Sequence, residues 1–289
     1  MSRIQDILNK AEREGAVRRT RVGAEASEPR VFVENVHIPS PPPATRRPVA
    51  PAAPPAPASE PAVVQAGTIS PLLVAALDPH APAAEQYRTL RTRRAAAESG
   101  APRVLAVSSP CVGDGKSITA VNLALTMAQE VNRRVVLVDA DLRRPSVHTL
   151  LGLPHRPGLA AVLTGEVPLE EAIVELPEYQ LAVVTSGMPP EHPAELLGSA
   201  AMRRVLDALR SRFDRVVLDT PPAVPLADVG VLAPMTDGVV LVVRAASTTR
   251  PTIERAMAVL DQGRLLGLVL NATGGDQNGY GYYGARQPS

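Results

Sequence analysis

The sequence predicts an α/β fold: a three-layer, mostly parallel sheet with helices on both of its faces. Three observations predict it. Short apolar runs rich in β-branched residues recur at 104–107, 135–138, 180–184, 216–218, 238–243 and 265–270. Helix-forming stretches at 118–127, 170–176, 201–213, 227–233 and 252–262 alternate with them, and strands that are apolar throughout belong in parallel sheets covered on both sides. Three of the runs end in polar clusters, at 108–117, at Asp139 and Asp141, and at Asp219, where such sheets bind ligands.

Composition limits what the chain can do. At 289 residues and 45% hydrophobic there is material for a sizeable core. Only 2% is aromatic, so Val, Leu, Ala and Ile must fill it. A net charge of +1 gives no general attraction to nucleic acid or anionic lipid, and no nucleic-acid partner is expected. Cys111 is the single cysteine, which excludes an internal disulfide and suits a reducing cytoplasm. No apolar run reaches the roughly 20 residues that a membrane helix needs, and no secretory leader follows Met1. The expectation is a cytoplasmic protein that meets a membrane only through a partner.

Four segments follow in order. Residues 1–19 carry a short amphipathic helix over 2–14: Ser2 and Gln5 form a capping box, Ile4, Ile7, Leu8 and Ala11 share a face, and Gly15 stops it. That length is marginal in water, so a docked helix and a frayed terminus are both open readings. Residues 20–66 lose all periodicity, and ten of the residues from 39 to 61 are proline. They read as an extended, disordered tether. Residues 67–273 hold the sheet. Its first helix, over 85–100, closes on Gly100 and puts Glu85, Arg88 and Arg91 on one face, which by charge alone is an ordinary solvated helix. Residues 274–289 hold three of the five tyrosines, Tyr280, Tyr282 and Tyr283, among Gly274, Gly275, Gly279, Gly281 and Gly284. Glycine at that density predicts a mobile tail, in which tyrosine serves for its hydroxyl rather than for packing.

The densest signal is Ser109-Pro110-Cys111-Val112-Gly113-Asp114-Gly115-Lys116-Ser117, set between a strand and a helix. This is the layout of a phosphate-binding loop. Glycines let backbone N–H groups turn inward on an anion, and the helix aims its positive end at the same point. Lys116 would reach the β- and γ-phosphates of a nucleotide and the Ser117 hydroxyl would meet Mg²⁺. Gly113, Asp114, Gly115, Lys116, Ser117 and Ile118 are the expected nucleotide contacts. One departure stands out: the usual first glycine is Pro110. An aspartate that ends a strand is often only a helix cap, but Asp139, Asp141 and Asp219 around one Lys-Ser loop point to chemistry.

Over about residues 81–283 the chain resembles bacterial tyrosine kinases, the P-loop autokinases of capsular and exopolysaccharide biosynthesis. The motifs are Glu85-x-x-Arg88-x-x-Arg91, the Ser109–Ser117 loop with Pro110 in the family's place, and Asp139-Ala140-Asp141-Leu142-Arg143. Pro193-Ala194-Glu195-Leu196-Leu197, a strand ending in Asp219-Thr220-Pro221-Pro222, and the tyrosine tail complete the set. The resemblance implies a P-loop NTPase fold of the MinD/ParA kind, ATP and Mg²⁺ as cofactors, and phosphorylation of Tyr280, Tyr282 and Tyr283, and the short reach of that tail beyond the last strand points to phosphorylation in trans. By the same resemblance Lys116, Asp139, Asp141 and Asp219 are catalytic. Ser117 holds Mg²⁺ directly, Asp139 and Asp219 hold it through water, Asp141 orients the tyrosine hydroxyl and Asn271 reads adenine. Glu85, Arg88 and Arg91 become the contact of a head-to-tail ring. A membrane chain-length determinant (polysaccharide co-polymerase) is the implied activator, a phosphotyrosine phosphatase the counterpart, and the inner face of the plasma membrane the place. The long proline-rich extension lies outside the family pattern. Two other classes stay open: a switch ATPase that positions chromosomes or septa, which carries a lysine where this chain has Cys111, and a nucleotide-binding scaffold without catalysis.

Overall fold

The sheet has eight strands among the described residues: β1 (Ala62–Val63), β2 (Val104–Ser108), β3 (Val135–Asp139), β4 (Ile173–Leu176), β5 (Leu181–Val184), β6 (Arg215–Asp219), β7 (Gly238–Arg244) and β8 (Leu265–Asn271). Their order is β1-β4-β5-β3-β6-β2-β7-β8. Every neighbouring pair is parallel except β4 with β5. The computed structural model describes residues 61–95, 102–224, 228–260 and 265–273. The expected N-terminal helix, most of the tether and the tail with Tyr280, Tyr282 and Tyr283 lie outside the described residues.

Successive strand residues feed two different cores. Val104, Ala106, Val136, Val138, Val216, Leu218, Val239 and Leu241 pack on one face. Leu105, Val107, Val135, Leu137, Val217, Val240 and Val242 pack on the other. This is why the strands are apolar throughout rather than alternating. The helix Lys116–Ala128 follows β2 and is buried along its length apart from Ser117 and Ile118, so the phosphate loop is anchored by the core itself. The register sets Asp139 opposite Asp219 across β3 and β6, and Val107 of β2 opposite Asp219. The carboxyl ends of three adjacent central strands therefore meet at one place.

The expectation of a helix over 170–176 is corrected. Only Leu169–Ala172 is helical, and Ile173–Leu176 is β4, antiparallel to β5. Glu170 and Glu171 favour a helix, but Ile173 and Val174 are β-branched and fully apolar, and the edge of β5 offers them a ladder. Gln180, with φ 52°, turns the chain between the two strands. The last residues assigned to the tether also take part, since Ala62–Val63 pair with Val174 and Glu175. Helices also stand at Pro82–Ala95, Ala200–Arg212, Asp228–Leu232 and Arg250–Val259, where helices are expected, and the expected ends at 96–100, 227 and 261–262 lie outside the described residues.

Candidate active site

The loop after β2 owes its shape to two left-handed glycines, Gly113 (φ 89°) and Gly115 (φ 95°). Gly115 caps the helix Lys116–Ala128. A Cβ there would strike the Asn271 side chain. The loop is braced from behind by side chains. Asp114 accepts the Cys111 N–H at 2.8 Å and the Thr248 hydroxyl at 2.8 Å. Arg244 donates to the Gly113 carbonyl at 3.1 Å, and Asn271 Nδ2 to the Asp114 carbonyl at 2.9 Å. Burial pushes the Asp114 carboxyl up, opposed by the Thr248 hydrogen bond. The ends of β7 and β8 thus fix the loop before any ligand arrives.

Lys116 sits at the centre of the site. Its Nζ lies 2.7 Å from Asp141 Oδ2 and 3.4 Å from Asp219 Oδ1, and donates to Ser117 Oγ at 3.0 Å. Burial works against its charge, yet the Asp219 and Asp141 carboxylates outweigh that and raise its pKa. Asp139 is fully buried and held by backbone: Asp141 N–H donates to Oδ1 at 3.2 Å, and Ser146 and Val147 N–H donate to Oδ2 at 3.1 and 3.0 Å. Burial first and the Asp219 charge second push the Asp139 carboxyl up to about 8. Asp219 is raised as well, chiefly by burial, with Lys116 opposing. Three acids around one ammonium therefore favour a proton retained on the Asp139/Asp219 pair.

The site fits a hydrated magnesium ion. Asp219 Oδ2 is buried with no hydrogen-bond partner, and the Ser117 hydroxyl lies 3.0 Å from the Lys116 Nζ that also faces Asp219. An open carboxylate oxygen and a hydroxyl are the few protein ligands that Mg²⁺ takes beside phosphate. The cleft in front has a volume of about 310 Å³, lined by Val112, Gly113, Lys116, Ser117, Asp141 and Arg144 among others.

The structure brings together Gly113, Asp114, Gly115, Lys116, Ser117, Asp139, Asp141, Asp219 and Asn271, and Ile118 also lines the cleft. Cys111 does not line it; its backbone N–H serves Asp114. Glu85, Arg88 and Arg91 lie on the helix Pro82–Ala95, away from the carboxylates. Arg88 pairs with Glu85 at 2.7 Å and donates to the Pro79 carbonyl, whereas Arg91 pairs with Glu130 at 3.1 Å and donates to the Thr126 carbonyl at 2.6 Å. Sequence reading missed Thr248, Arg244 and Asp228. Thr248 carries no motif; Asp228 is the buried partner of Arg143, at 2.7 and 3.2 Å. A further miss is Asn122, the one amide of the helix Lys116–Ala128, whose partners lie about 50 residues back in the chain.

A left-handed glycine loop closed by Lys-Ser on a helix N-terminus, with aspartates ending the two adjacent strands, defines a P-loop NTPase domain. Comparison agrees: the ParA family, described as "NUBPL iron-transfer P-loop NTPase", matches residues 100–277. Tyrosine-protein kinase YwqD of Bacillus subtilis is 37% identical over 218 residues, spanning 74% of this chain and 92% of that protein. Tyrosine-protein kinase CpsD of Streptococcus agalactiae is 35% identical over 193 residues, 64% of this chain and 82% of its own. The solved kinase domain of Escherichia coli tyrosine kinase ETK superposes with a TM-score of 0.65 at 30% identity, covering 69% of this chain and 79% of that one. The chain belongs to the bacterial tyrosine-protein kinases.

Proposed function

We propose that the protein transfers the γ-phosphoryl group of ATP to Tyr280, Tyr282 and Tyr283 of a neighbouring copy's tail, and so regulates polysaccharide polymerisation and export. The observation that carries this reading is Lys116 held between Asp141 and Asp219 at the mouth of the phosphate loop. An incoming nucleotide gives Lys116 phosphate oxygens in place of carboxylates and leaves Asp141 beside the acceptor. Phosphoryl transfer needs positioning and charge neutralisation more than covalent help. The loop amides and Lys116 hold the β- and γ-phosphates. Ser117 would hold Mg²⁺ directly and Asp219 would hold it through water, and the ion would neutralise phosphate charge. Asp139 contributes mainly by fixing the turn that carries Asp141, since its oxygens already accept three backbone N–H groups. The tyrosine oxygen bonds to the γ-phosphorus as the bond from the γ-phosphorus to ADP breaks, and the phenolic proton passes late in the step to an oxygen of the transferred phosphoryl group. A carboxylate is a far weaker base than a phenolate, so Asp141 orients the hydroxyl more than it deprotonates it. Asn271 stands beside the loop, where it steadies Asp114 and is the candidate to read adenine.

No helix among the described residues is long and apolar enough to cross a membrane. Attachment at the inner membrane face through a chain-length determinant, a head-to-tail ring using Glu85 and Arg88, and a phosphatase that resets the tail complete the reading. Mixing tests it. A Lys116→Met chain with an intact tail is incubated with MgATP and an active chain whose tyrosines 280, 282 and 283 are phenylalanine. Phosphotyrosine on the Lys116→Met chain supports the reading; none on either chain refutes it.

A further inference from the structure

Residues 64–78 bond to the elements that carry both walls of the nucleotide cleft. Their backbone is bonded in turn to β4, to the 150–152 corner and to the loop helix. Val64 N–H donates to the Glu175 carbonyl at 3.1 Å, Gly67 N–H to Gly152 at 3.1 Å and Ser70 N–H to Leu150 at 2.8 Å. Leu150 lines the cleft and ends the short helix Val147–Leu150, whose first turn is held by Asp139. Two residues on, the strap meets Asn122.

Asn122 is fully buried in the helix Lys116–Ala128. Its Nδ2 donates to the Leu72 carbonyl at 3.0 Å and to the Ile118 carbonyl at 2.9 Å. Its Oδ1 accepts the Ala75 N–H at 3.0 Å. Gln129 Nε2 adds a bond to the Ala75 carbonyl at 3.0 Å. Asparagine is a poor helix former, and a buried amide is tolerated only where its bonds are made. Here they are made to the strap and to the first turn of the helix that starts with Lys116 and Ser117. Asn122, with Gln129 beside it, therefore connects the lysine wall, through the strap, to the wall that Asp139 organises.

We propose that Asn122 is a positioning residue: through residues 64–78 it keeps the Lys116–Ser117 side of the cleft in register with the Asp139–Asp141 side. The activity readout rests on the kinase reading above; the register itself does not. Misplacing reacting groups by about 1 Å costs on the order of 10²-fold in rate.

The test uses the full chain with Asn122→Ala, Gly67→Ala and the double variant. A Cβ at residue 67 would lie 2.8 Å from the Gly152 carbonyl oxygen, which forces the strap off the far wall without touching Asn122. Each single variant is expected to lower kcat for tyrosine phosphorylation about tenfold, with nucleotide Kd within about threefold. The double variant should be no worse than the weaker single one, because both cut the same connection. Assays run well below each variant's melting temperature, so a general loss of stability does not enter. Multiplying effects, or kcat unchanged in folded variants, overturn the proposal. Amide hydrogen exchange tests the register independently of activity. Gly67→Ala should speed exchange at 117–122, and Asn122→Ala at 147–152; unchanged exchange across the cleft overturns it. Should Asn122→Ala not fold, exchange in Gly67→Ala alone decides, and an inactive wild type with coupled exchange would refute the kinase reading only.

Discussion

Lys116 Nζ is 2.7 Å from Asp141 Oδ2, closer than to Asp219 Oδ1 at 3.4 Å. The lysine that should bind phosphate is engaged by the carboxylate that should face the acceptor. Replacing Asp141 with asparagine leaves the lysine only its longer contact with Asp219 and removes a negative charge beside the phosphates. MgATP should then bind several-fold tighter, since an ion pair at such distance is worth a few kcal/mol before desolvation, while phosphotyrosine formation falls on the order of 10²-fold. Lys116→Met should lose both binding and turnover, the latter by about 10²–10³. Nucleotide titration beside a phosphotyrosine assay separates the two signatures; weaker MgATP binding by Asp141→Asn contradicts the arrangement.

The pH dependence follows from Asp139, pushed up to about 8 from 3.8 by burial and the Asp219 charge. The native state holds a proton that the unfolded chain releases at lower pH. Its contribution to stability is full below about pH 4 and is lost as pH rises through about 8. Without ligand, the melting temperature should fall between pH 6 and pH 8, with a limiting slope of about 1.4 kcal/mol per pH unit. MgATP binding needs the carboxylates charged, so at pH 7 it should release a proton. Calorimetry in two buffers of different ionisation enthalpy reads that proton directly; none released contradicts the raised value.

Arg143 and Asp228 form a two-point pair in which Asp228 is fully buried and Arg143 is partly exposed. Removing the arginine strands a buried carboxylate. Arg143→Ala should cost about 2–4 kcal/mol in chemical unfolding, reduced from the fully buried case because solvent reaches the guanidinium side. Arg143→Ala/Asp228→Asn should recover part of the loss. A single variant as stable as wild type would mean the pair is not maintained in solution.

The helix Pro82–Ala95 separates two roles that the spacing of Glu85, Arg88 and Arg91 does not distinguish. Arg91 is used inside the chain, on Glu130 and the Thr126 carbonyl, whereas Glu85 is the more exposed member of its pair with Arg88. If the proposed ring forms through this face, Glu85→Ala/Arg88→Ala should yield a monomer, cut phosphorylation and leave the melting temperature within about 2 °C, as an exposed pair contributes about 0.2–1 kcal/mol. Arg91→Ala should lower the melting temperature more. Light scattering and a melt on each variant check this; an intact oligomer in the double variant removes this face from the interface.

The central sheet and its loop were legible because one signal served two purposes. β2, β3, β6 and β7 are apolar on both faces, so their sequences declare both the strand and its position in the middle of a parallel sheet. The Gly113-Asp114-Gly115-Lys116-Ser117 run declares itself by backbone demands that few residues meet. β1 and β4 were hidden: one is two residues long, and the other follows glutamates that favour a helix until the β5 edge decides for strand. Thr248 and Asn122 act through partners more than 40 residues away, at Asp114, Leu72 and Ala75. No local pattern encodes such contacts. They exist only once the sheet has brought the segments together.

The most direct measurement is the intact mass of the purified chain after incubation with MgATP, followed by mapping of any added phosphate. Wild type should gain up to three phosphates, all within Tyr280, Tyr282 and Tyr283, and Lys116→Met should gain none. ATP converted to ADP and free phosphate with no gain in mass would contradict the account and identify a switch ATPase instead.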